Sequence, residues 1–117
     1  MAGTIVEAYP WGYTSTANVI AVRQTEQYAR WFARLRDREA RGRILARVRR
    51  LSLGNPCDVG PAGEGVSVMR IHVGPGYRVY FKQVGDLVVV LLAGGDKRTQ
   101  GRDIETAKAL ARDLQEE

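Results

Sequence analysis

Cysteine and histidine are nearly absent from this sequence, which contains one of each among its 117 residues. The single Cys57 excludes an intrachain disulfide and a cysteine-based zinc site. His72 has no second histidine with which to share a metal ion, and the carboxylates do not cluster as metal ligands. The sequence therefore predicts a protein that uses no metal and no other cofactor.

Long hydrophobic runs are also missing. The most apolar stretch, LVVVLL at residues 87–92, is much shorter than the about 20 residues that a membrane-spanning helix needs. The N-terminus lacks the basic and then apolar layout of a signal peptide. From these two absences we expect a cytoplasmic protein.

Acidic residues are in the minority: 13 Asp and Glu stand against 18 Lys and Arg, which gives a net charge of +5. A positive net charge favours an anionic partner, most commonly nucleic acid. Residues 23–50 hold ten arginines and three acids. These arginines form either the solvated face of two helices or a surface that docks on phosphates or on an acidic partner. For docking on RNA, the candidates are Arg41, Arg47 and Arg50.

Apolar spacing and capping residues predict the elements of the domain. Residues 19–23 alternate as a short strand, and Thr25 and Asp37 are suited to cap two successive amphipathic helices. Residues 58–65 are rich in turn-forming residues. The apolar spacing from about Asp103 onward predicts a final helix.

The predicted order is β-α-α-β-β-β-α. This is an α+β fold in which an antiparallel sheet is covered by a helical hairpin plus a C-terminal helix. The domain spans residues 19–117. Residues 1–18 form an N-terminal extension whose aromatics, Tyr9, Trp11 and Tyr13, belong either to an ordered arm or to a flexible leader.

The hairpin around residues 66–84 predicts a polar surface. Gly74-Pro75-Gly76 is suited to a three-residue loop, and pairing outward from it sets His72 opposite Arg78 and Arg70 opposite Tyr80. Side chains alternate across a strand, so one face is apolar and the other is cationic and partly aromatic. The residues of the second face are Arg70, His72, Arg78, Tyr80 and Lys82. Such a face suits a phosphate backbone.

The apolar run at residues 87–92 predicts a central strand that is covered on both faces. It ends in Ala93-Gly94-Gly95, where the chain can turn sharply. In an antiparallel meander, the end of this strand lies beside the start of the preceding one. We therefore expect Lys97 and Arg98 to lie near Arg78.

The cluster of Arg78, Arg98, Lys97 and His72 contains the residue types that metal-free RNA cleavage needs. A base activates the 2′-OH, cations stabilise charge on the phosphate oxygens, and an acid or cation assists the leaving 5′-oxygen. Guanidinium groups match phosphate oxygens in pairs, and His72 is the candidate base. The alternative for His72 is a plain surface or structural residue. For Asp96, a hydrogen bond within the turn is favoured over a catalytic role.

Four segments of the chain carry a resemblance to a known family: RQTEQYARWFARLRD, ARGRILARVRRLSLGNPCDV, GEGVSVMRIHVGPGYRVYF and LLAGGDKRTQGRDIETAKALA. The chain resembles the RelE/ParE superfamily of toxins from type II toxin–antitoxin modules, and within it the HigB-like branch of addiction module killer proteins. The resemblance runs from about Val19 to Leu114. It implies a RelE-like fold and a toxin that acts as an mRNA endoribonuclease on the ribosome, without metal, and so inhibits translation.

The resemblance also assigns residues and partners. The family's phosphate-contacting arginine falls on Arg78, and a second one falls on Arg98 with Lys97 beside it. Arg70 and His72 correspond loosely to basic residues of the preceding strand. A tyrosine that some RelE relatives use near the C-terminus is replaced by Ile104. The implied partners are a helix-turn-helix antitoxin, the ribosome with its mRNA, and operator DNA through the antitoxin complex.

Two alternatives to a nuclease remain from the sequence. One is a non-enzymatic inhibitor of DNA gyrase, as in the ParE branch, which shares the fold but generally lacks the basic set. The other is a decayed toxin that only binds its antitoxin. The presence of Arg78, Lys97 and Arg98 favours the nuclease.

Overall fold

The computed structural model describes residues 5–6 and 20–115. In chain order the strands are β1 (Ile5–Val6), β2 (Ala21–Thr25), β3 (Val59–Gly63), β4 (Val66–Ile71), β5 (Tyr77–Val84) and β6 (Val88–Asp96). The helices are α1 (Glu26–Arg34), α2 (Arg38–Ser52) and α3 (Gln100–Gln115), and a short 3-10 helix (Lys97–Thr99) precedes α3. The chain is therefore α+β, as predicted. The aromatics Tyr9, Trp11 and Tyr13 lie outside the described residues.

The strands form one sheet in the order β1-β2-β6-β5-β4-β3. Neighbouring strands are antiparallel except β2 and β6, which are parallel. This parallel pair was not predicted. It arises because four successive antiparallel strands, β3 to β6, bring the chain back beside β2 in the same direction. The meander places β5 between β4 and β6, so the ends of these three strands are held together.

Strand β3 is an addition to the predicted order, because its segment was assigned to turns. It pairs with β4 through a tight hairpin whose turn residues, Glu64 and Gly65, both have positive φ (53° and 80°). Two left-handed residues in succession are typical of the turn that matches the twist of a two-stranded hairpin. The glycines and Pro61 of this segment therefore belong to a β-hairpin that ends at an edge of the sheet.

The sheet is covered on both faces. Helices α1 and α2 contribute Tyr28 and Ile44 to a core on one face, and α3 contributes Ala107 to a second core on the other face. Alternate residues of β6 enter the two cores, with Leu91 in the first and Leu92 in the second. The prediction of a central strand covered on both faces is confirmed.

Both predicted helix caps are confirmed. The hydroxyl of Thr25 accepts a hydrogen bond from the N–H of Tyr28 at 3.1 Å and donates one to the carbonyl of Leu92 at 2.6 Å. The carboxylate of Asp37 accepts from the N–H of Ala40 at 3.1 Å. Thr25 thus starts α1 and also ties it to β6, which fixes the helix against the sheet.

The β4–β5 register differs from the predicted one by two residues. Arg70 lies opposite Arg78 and Ile71 opposite Tyr77, whereas His72 was predicted opposite Arg78. The loop is longer than predicted, because it spans residues 72–76, and Gly74 and Gly76 in it both adopt positive φ (55° and 83°). A shift by two residues keeps each side chain on its face, so Arg70 and Arg78 still share one face.

Candidate functional site

An open cleft of about 410 Å³ lies at the end of the β4–β5 hairpin. Its cationic lining consists of Arg70, His72, Arg78 and Lys97, and residues 73–77 of the hairpin loop complete it. Three of the four residues predicted to be catalytic, His72, Arg78 and Lys97, therefore share one cleft. The predicted RNA-binding residue Arg70 lies with them.

The sheet positions these side chains. Arg70 and Arg78 are cross-strand partners on β4 and β5. Arg78 is also paired with Gly95 of β6, and Lys97 follows two residues later. His72 immediately follows β4. The four residues thus lie in, or directly after, three adjacent strands. The sheet therefore holds their backbone atoms in fixed positions.

The aromatic part of the cleft wall is Tyr77, whose ring packs edge-on against Trp31 of α1 at a centroid distance of 6.5 Å. Partial burial raises the pKa of the Tyr77 phenol, and the negative charges of Asp37 and Asp96 act in the same direction. The phenol therefore stays neutral at physiological pH.

Asp58 is the residue of this site that the sequence analysis missed. Its carboxylate accepts a hydrogen bond from Arg70 Nη1 at 3.2 Å and contacts His72 Nε2. The hydrogen bond with His72 is the main cause that lowers the pKa of the Asp58 carboxyl, and the bond with Arg70 adds to it. The Glu64-Gly65 dipeptide is the sequence signal that could have revealed this contact. It closes the β3–β4 hairpin, and this hairpin brings the Arg70 N–H to the Asp58 carbonyl, 3.1 Å away.

Arg98 does not line the cleft. Its side chain is 80 % exposed and donates to the carboxylate of Asp96 at 2.9 Å. Asp96 also accepts from the backbone N–H of Arg98 at 2.8 Å and caps the 3-10 helix. The side-chain bond with Arg98 is the main cause that lowers the pKa of Asp96. The favoured turn role of Asp96 is confirmed, whereas the expected position of Arg98 beside Arg78 in the cleft is not.

Two other residues of the predicted polar face lie elsewhere. Tyr80 is fully buried in the core beneath α3, so the prediction that it lies on an exposed RNA-binding surface is wrong. The physical reason is that α3 packs over this part of the face. Lys82 is partly exposed near the Glu64-Gly65 turn, with its Cε close to Gly65, and does not line the cleft.

Two of the three helix arginines predicted to dock on RNA make structural contacts. Arg41 donates to the carbonyls of Phe32 and Leu35, at 2.7 and 3.2 Å, and its guanidinium lies over the Phe32 ring. Arg47 donates to the carbonyl of Arg70 at 2.7 Å and to that of Cys57.

Arg41 and Arg47 are therefore engaged within the fold, and their docking on RNA stays a prediction. The carbonyls at the end of α1 and beside β4 need donors, and these long side chains supply them. Arg50 is exposed, as predicted.

A second groove, of about 380 Å³, lies between α1 and α3 and was not predicted. Arg30, Arg34 and Arg102 line it together with Trp31 and Gly94. Trp31 packs so closely on Gly94 that a Cβ atom there would lie 2.2 Å from the indole ring. The absence of a side chain at Gly94 is what lets α1 approach the end of β6.

Neither a metal cluster nor a membrane span is found in the described part of the chain. Within residues 5–6 and 20–115, no three His, Cys, Asp or Glu side chains come together in a way that could hold a metal ion. No helix in these ranges is long and apolar enough to cross a membrane.

The fold and the site define a class: a small α+β protein with a cationic cleft at the end of a central β-meander. A comparison with known proteins finds a relative. Over 95 residues, covering 81 % of this chain and 96 % of the relative, the sequence is 41 % identical to a Haemophilus influenzae protein described as "Uncharacterized protein". The chain belongs to the family of this protein. No family model matches the chain, and no solved structure matches it.

Proposed function

We propose that this protein is the toxin of a type II toxin–antitoxin module and that it cleaves mRNA on the ribosome, in the cytoplasm, without a metal ion. The observation that carries the proposal is the cleft in which Arg70, His72, Arg78 and Lys97 come together. Two guanidinium groups and an ammonium group beside an imidazole suit a phosphodiester whose charge grows during the reaction. The resemblance to the RelE/ParE superfamily supports the same conclusion.

The proposed reaction uses the 2′-OH of the RNA as the nucleophile. His72 takes the proton of this hydroxyl, the O2′–P bond forms, and the P–O5′ bond breaks. The products are a 2′,3′-cyclic phosphate and a free 5′-OH, whose proton comes from the Lys97 ammonium or from water. Arg78 and Arg70 hold the non-bridging phosphate oxygens, where charge accumulates.

The proposed partner is a helix-turn-helix antitoxin. A chain with a net charge of +5 and an exposed cationic cleft attracts an acidic segment at long range. Occupation of the cleft by such a segment excludes RNA. Through this antitoxin, the complex would bind operator DNA.

The test is to induce the protein in bacterial cells and to map the 5′ ends of their mRNAs, in parallel with a supercoiling assay on purified DNA gyrase. We expect new 5′ ends within translated regions and unchanged gyrase activity. Inhibited supercoiling without new mRNA ends would replace this proposal with the gyrase-inhibitor alternative. If neither effect is seen for a folded protein, the proposed toxin activity is wrong.

A further inference from the structure

Asp58 has an unusual backbone for an acidic residue. It lies between α2 and β3, and its φ of 50° is in the left-handed region that most residues avoid. Aspartate tolerates this region better than most side chains do. The conformation directs its carboxylate to β4 and to the residue that follows it.

The carboxylate of Asp58 joins two groups of the cleft. One oxygen accepts from Arg70 and the other contacts His72 Nε2. The side chain of His72 is 74 % exposed, whereas that of Asp58 is 37 % exposed. The imidazole is thus held from one side while the rest of the ring remains accessible.

We propose that Asp58 is a positioning residue that fixes the ring orientation and the tautomer of His72, so that Nδ1 is the nitrogen that receives the proton. This proposal rests on the proposed nuclease function only for the identity of the proton donor, which is the RNA 2′-OH.

The assignment of the tautomer follows from donor and acceptor chemistry. An ionised carboxylate has no proton to donate, so the hydrogen on the shared bond must come from Nε2. A neutral imidazole with a proton on Nε2 has its lone pair on Nδ1. The proton-accepting nitrogen is therefore set by Asp58 rather than by the RNA.

The other charged groups around the cleft do not compete for this role. The cations of β4, β5 and the 3-10 helix are hydrogen-bond donors without a lone pair to offer a ring N–H. The nearby acids other than Asp58 are engaged elsewhere: Asp37 caps α2 and Asp96 caps the 3-10 helix. The charged groups around this region are Asp37, Asp58, Arg70, Arg78, Asp96, Lys97 and Arg98.

Glu64 offers a matched control at the other end of β3. Like Asp58, it is an acid with left-handed φ (53°). It accepts a charge-assisted bond from Arg112 at 2.9 Å, but it does not contact the cleft. A purely structural effect of losing an acid beside β3 is expected from both positions, whereas an effect on His72 is expected from Asp58 alone.

The first experiment reads the tautomer directly. Because His72 is the single histidine of the chain, the two imidazole nitrogens give unambiguous signals in a long-range ¹H–¹⁵N spectrum. We expect the wild-type ring, when neutral, to hold its proton on Nε2. In Asp58→Gly, which suits the left-handed backbone, the two shifts should move toward the average of an unrestrained imidazole, and in Glu64→Gly they should not. Identical shifts in wild type and Asp58→Gly would overturn the proposal.

The second experiment tests coupling in the cleavage reaction. Asp58→Gly should lower mRNA cleavage by about 10- to 100-fold, which is less than the about 10²–10⁴-fold contribution of a positioned base. In a His72→Ala background, Asp58→Gly should have no further effect, since its action passes through the ring.

Equal losses in the two backgrounds would show that Asp58 acts independently of His72, and the proposal would be wrong. If the wild-type protein cleaves no mRNA, the proposed function fails, and the tautomer experiment still decides the role of Asp58.

Discussion

At the scale of single residues, arginine side chains have different roles in this molecule, and the role of each depends on its neighbours. Arg78 lines the cleft at the end of the β4–β5 hairpin. Arg47 instead satisfies backbone carbonyls, and Arg98 pairs with Asp96. A charge reversal at Arg47 would therefore disturb the fold, whereas one at the exposed Arg50 would test the proposed docking on the ribosome.

We expect Arg78→Ala to abolish toxicity and to lower mRNA cleavage by about 10²–10³-fold, because it removes a preorganised charge from the phosphate oxygens. The melting temperature should stay close to that of the wild type. The control is Arg43→Ala, which removes a 58 % exposed arginine on α2. An equally toxic Arg78→Ala protein would place the site elsewhere.

Arg47→Ala should destabilise the fold by about 1–3 kcal/mol, since two carbonyls lose a charged donor in a partly buried setting. Denaturant unfolding measures this loss. Arg50→Ala, three residues further along the same helix, should unfold within about 0.5 kcal/mol of the wild type. Equal stability of the two variants would show that the Arg47 contacts contribute nothing.

At the scale of elements, the junction between β6 and α3 controls the position of Lys97. A Cβ at Gly95 would lie 1.8 Å from the carboxylate of Asp103 and 2.8 Å from the Thr99 hydroxyl. These groups also bond to each other at 2.5 Å. The start of α3 can therefore reach the sheet only where β6 has no side chain.

Gly95→Ala should destabilise the fold by about 1–3 kcal/mol through overpacking and should reduce activity by displacing Lys97. Gly42→Ala is the matched control, because nothing lies within 4 Å of its Cβ position in α2. This control should gain about 0.5–1 kcal/mol from helix propensity. Thermal or denaturant unfolding of both variants decides the prediction, which fails if Gly95→Ala is as stable as the wild type.

The two acids that flank strand β3, Asp58 and Glu64, should make the stability of the fold depend on pH. Hydrogen bonds lower the pKa of Asp58, chiefly through His72, and of Glu64, chiefly through Arg112. A lowered folded-state pKa means that the stabilisation is complete above the ordinary values of 3.8 and 4.5 and is lost as pH falls through the folded-state values.

Melting temperatures should therefore fall in acid, and part of this fall should be absent in Glu64→Gln, which has no carboxylate to protonate. Thermal unfolding from about pH 7 to about pH 2 measures the difference. The same acid sensitivity in both proteins would contradict a contribution from Glu64.

At the scale of the whole molecule, the cleft lies at one end of a sheet whose two faces are both covered. The central strands are buried under α1 and α2 on one face and under α3 on the other. Among the described residues, the cationic cleft is thus carried by strand ends and loops, where ligands can approach without disturbing the cores.

Deletion of residues 1–18 should leave toxicity intact and change antitoxin affinity, because the cleft is built from residues after 57. The deletion also removes β1, which pairs with β2, so circular dichroism must first show that the truncated chain folds. Growth arrest and antitoxin binding are then measured. Loss of toxicity in a folded truncation would assign the N-terminal segment to the active machinery.

The sequence by itself determined the features that depend on neighbours along the chain. Thr25 and Asp37 cap helices as predicted, because a cap needs only the next few residues. The alternation of β4 and β5 placed Arg70 and Arg78 on one face, and the meander order brought Lys97 to them. These predictions depend on local geometry. They therefore stayed correct although the predicted β4–β5 register was wrong by two residues.

The tertiary structure decided which side chains are free. Arg47 finds acceptors on the carbonyls of Cys57 and Arg70, Tyr80 is buried by α3, and Asp58 meets His72 across the β3–β4 hairpin. Each of these contacts joins residues whose proximity depends on how helices and strands pack. The exposure of a side chain and the groups that it contacts depend on this packing. They therefore cannot be read from the composition of the chain or from the spacing of its residues.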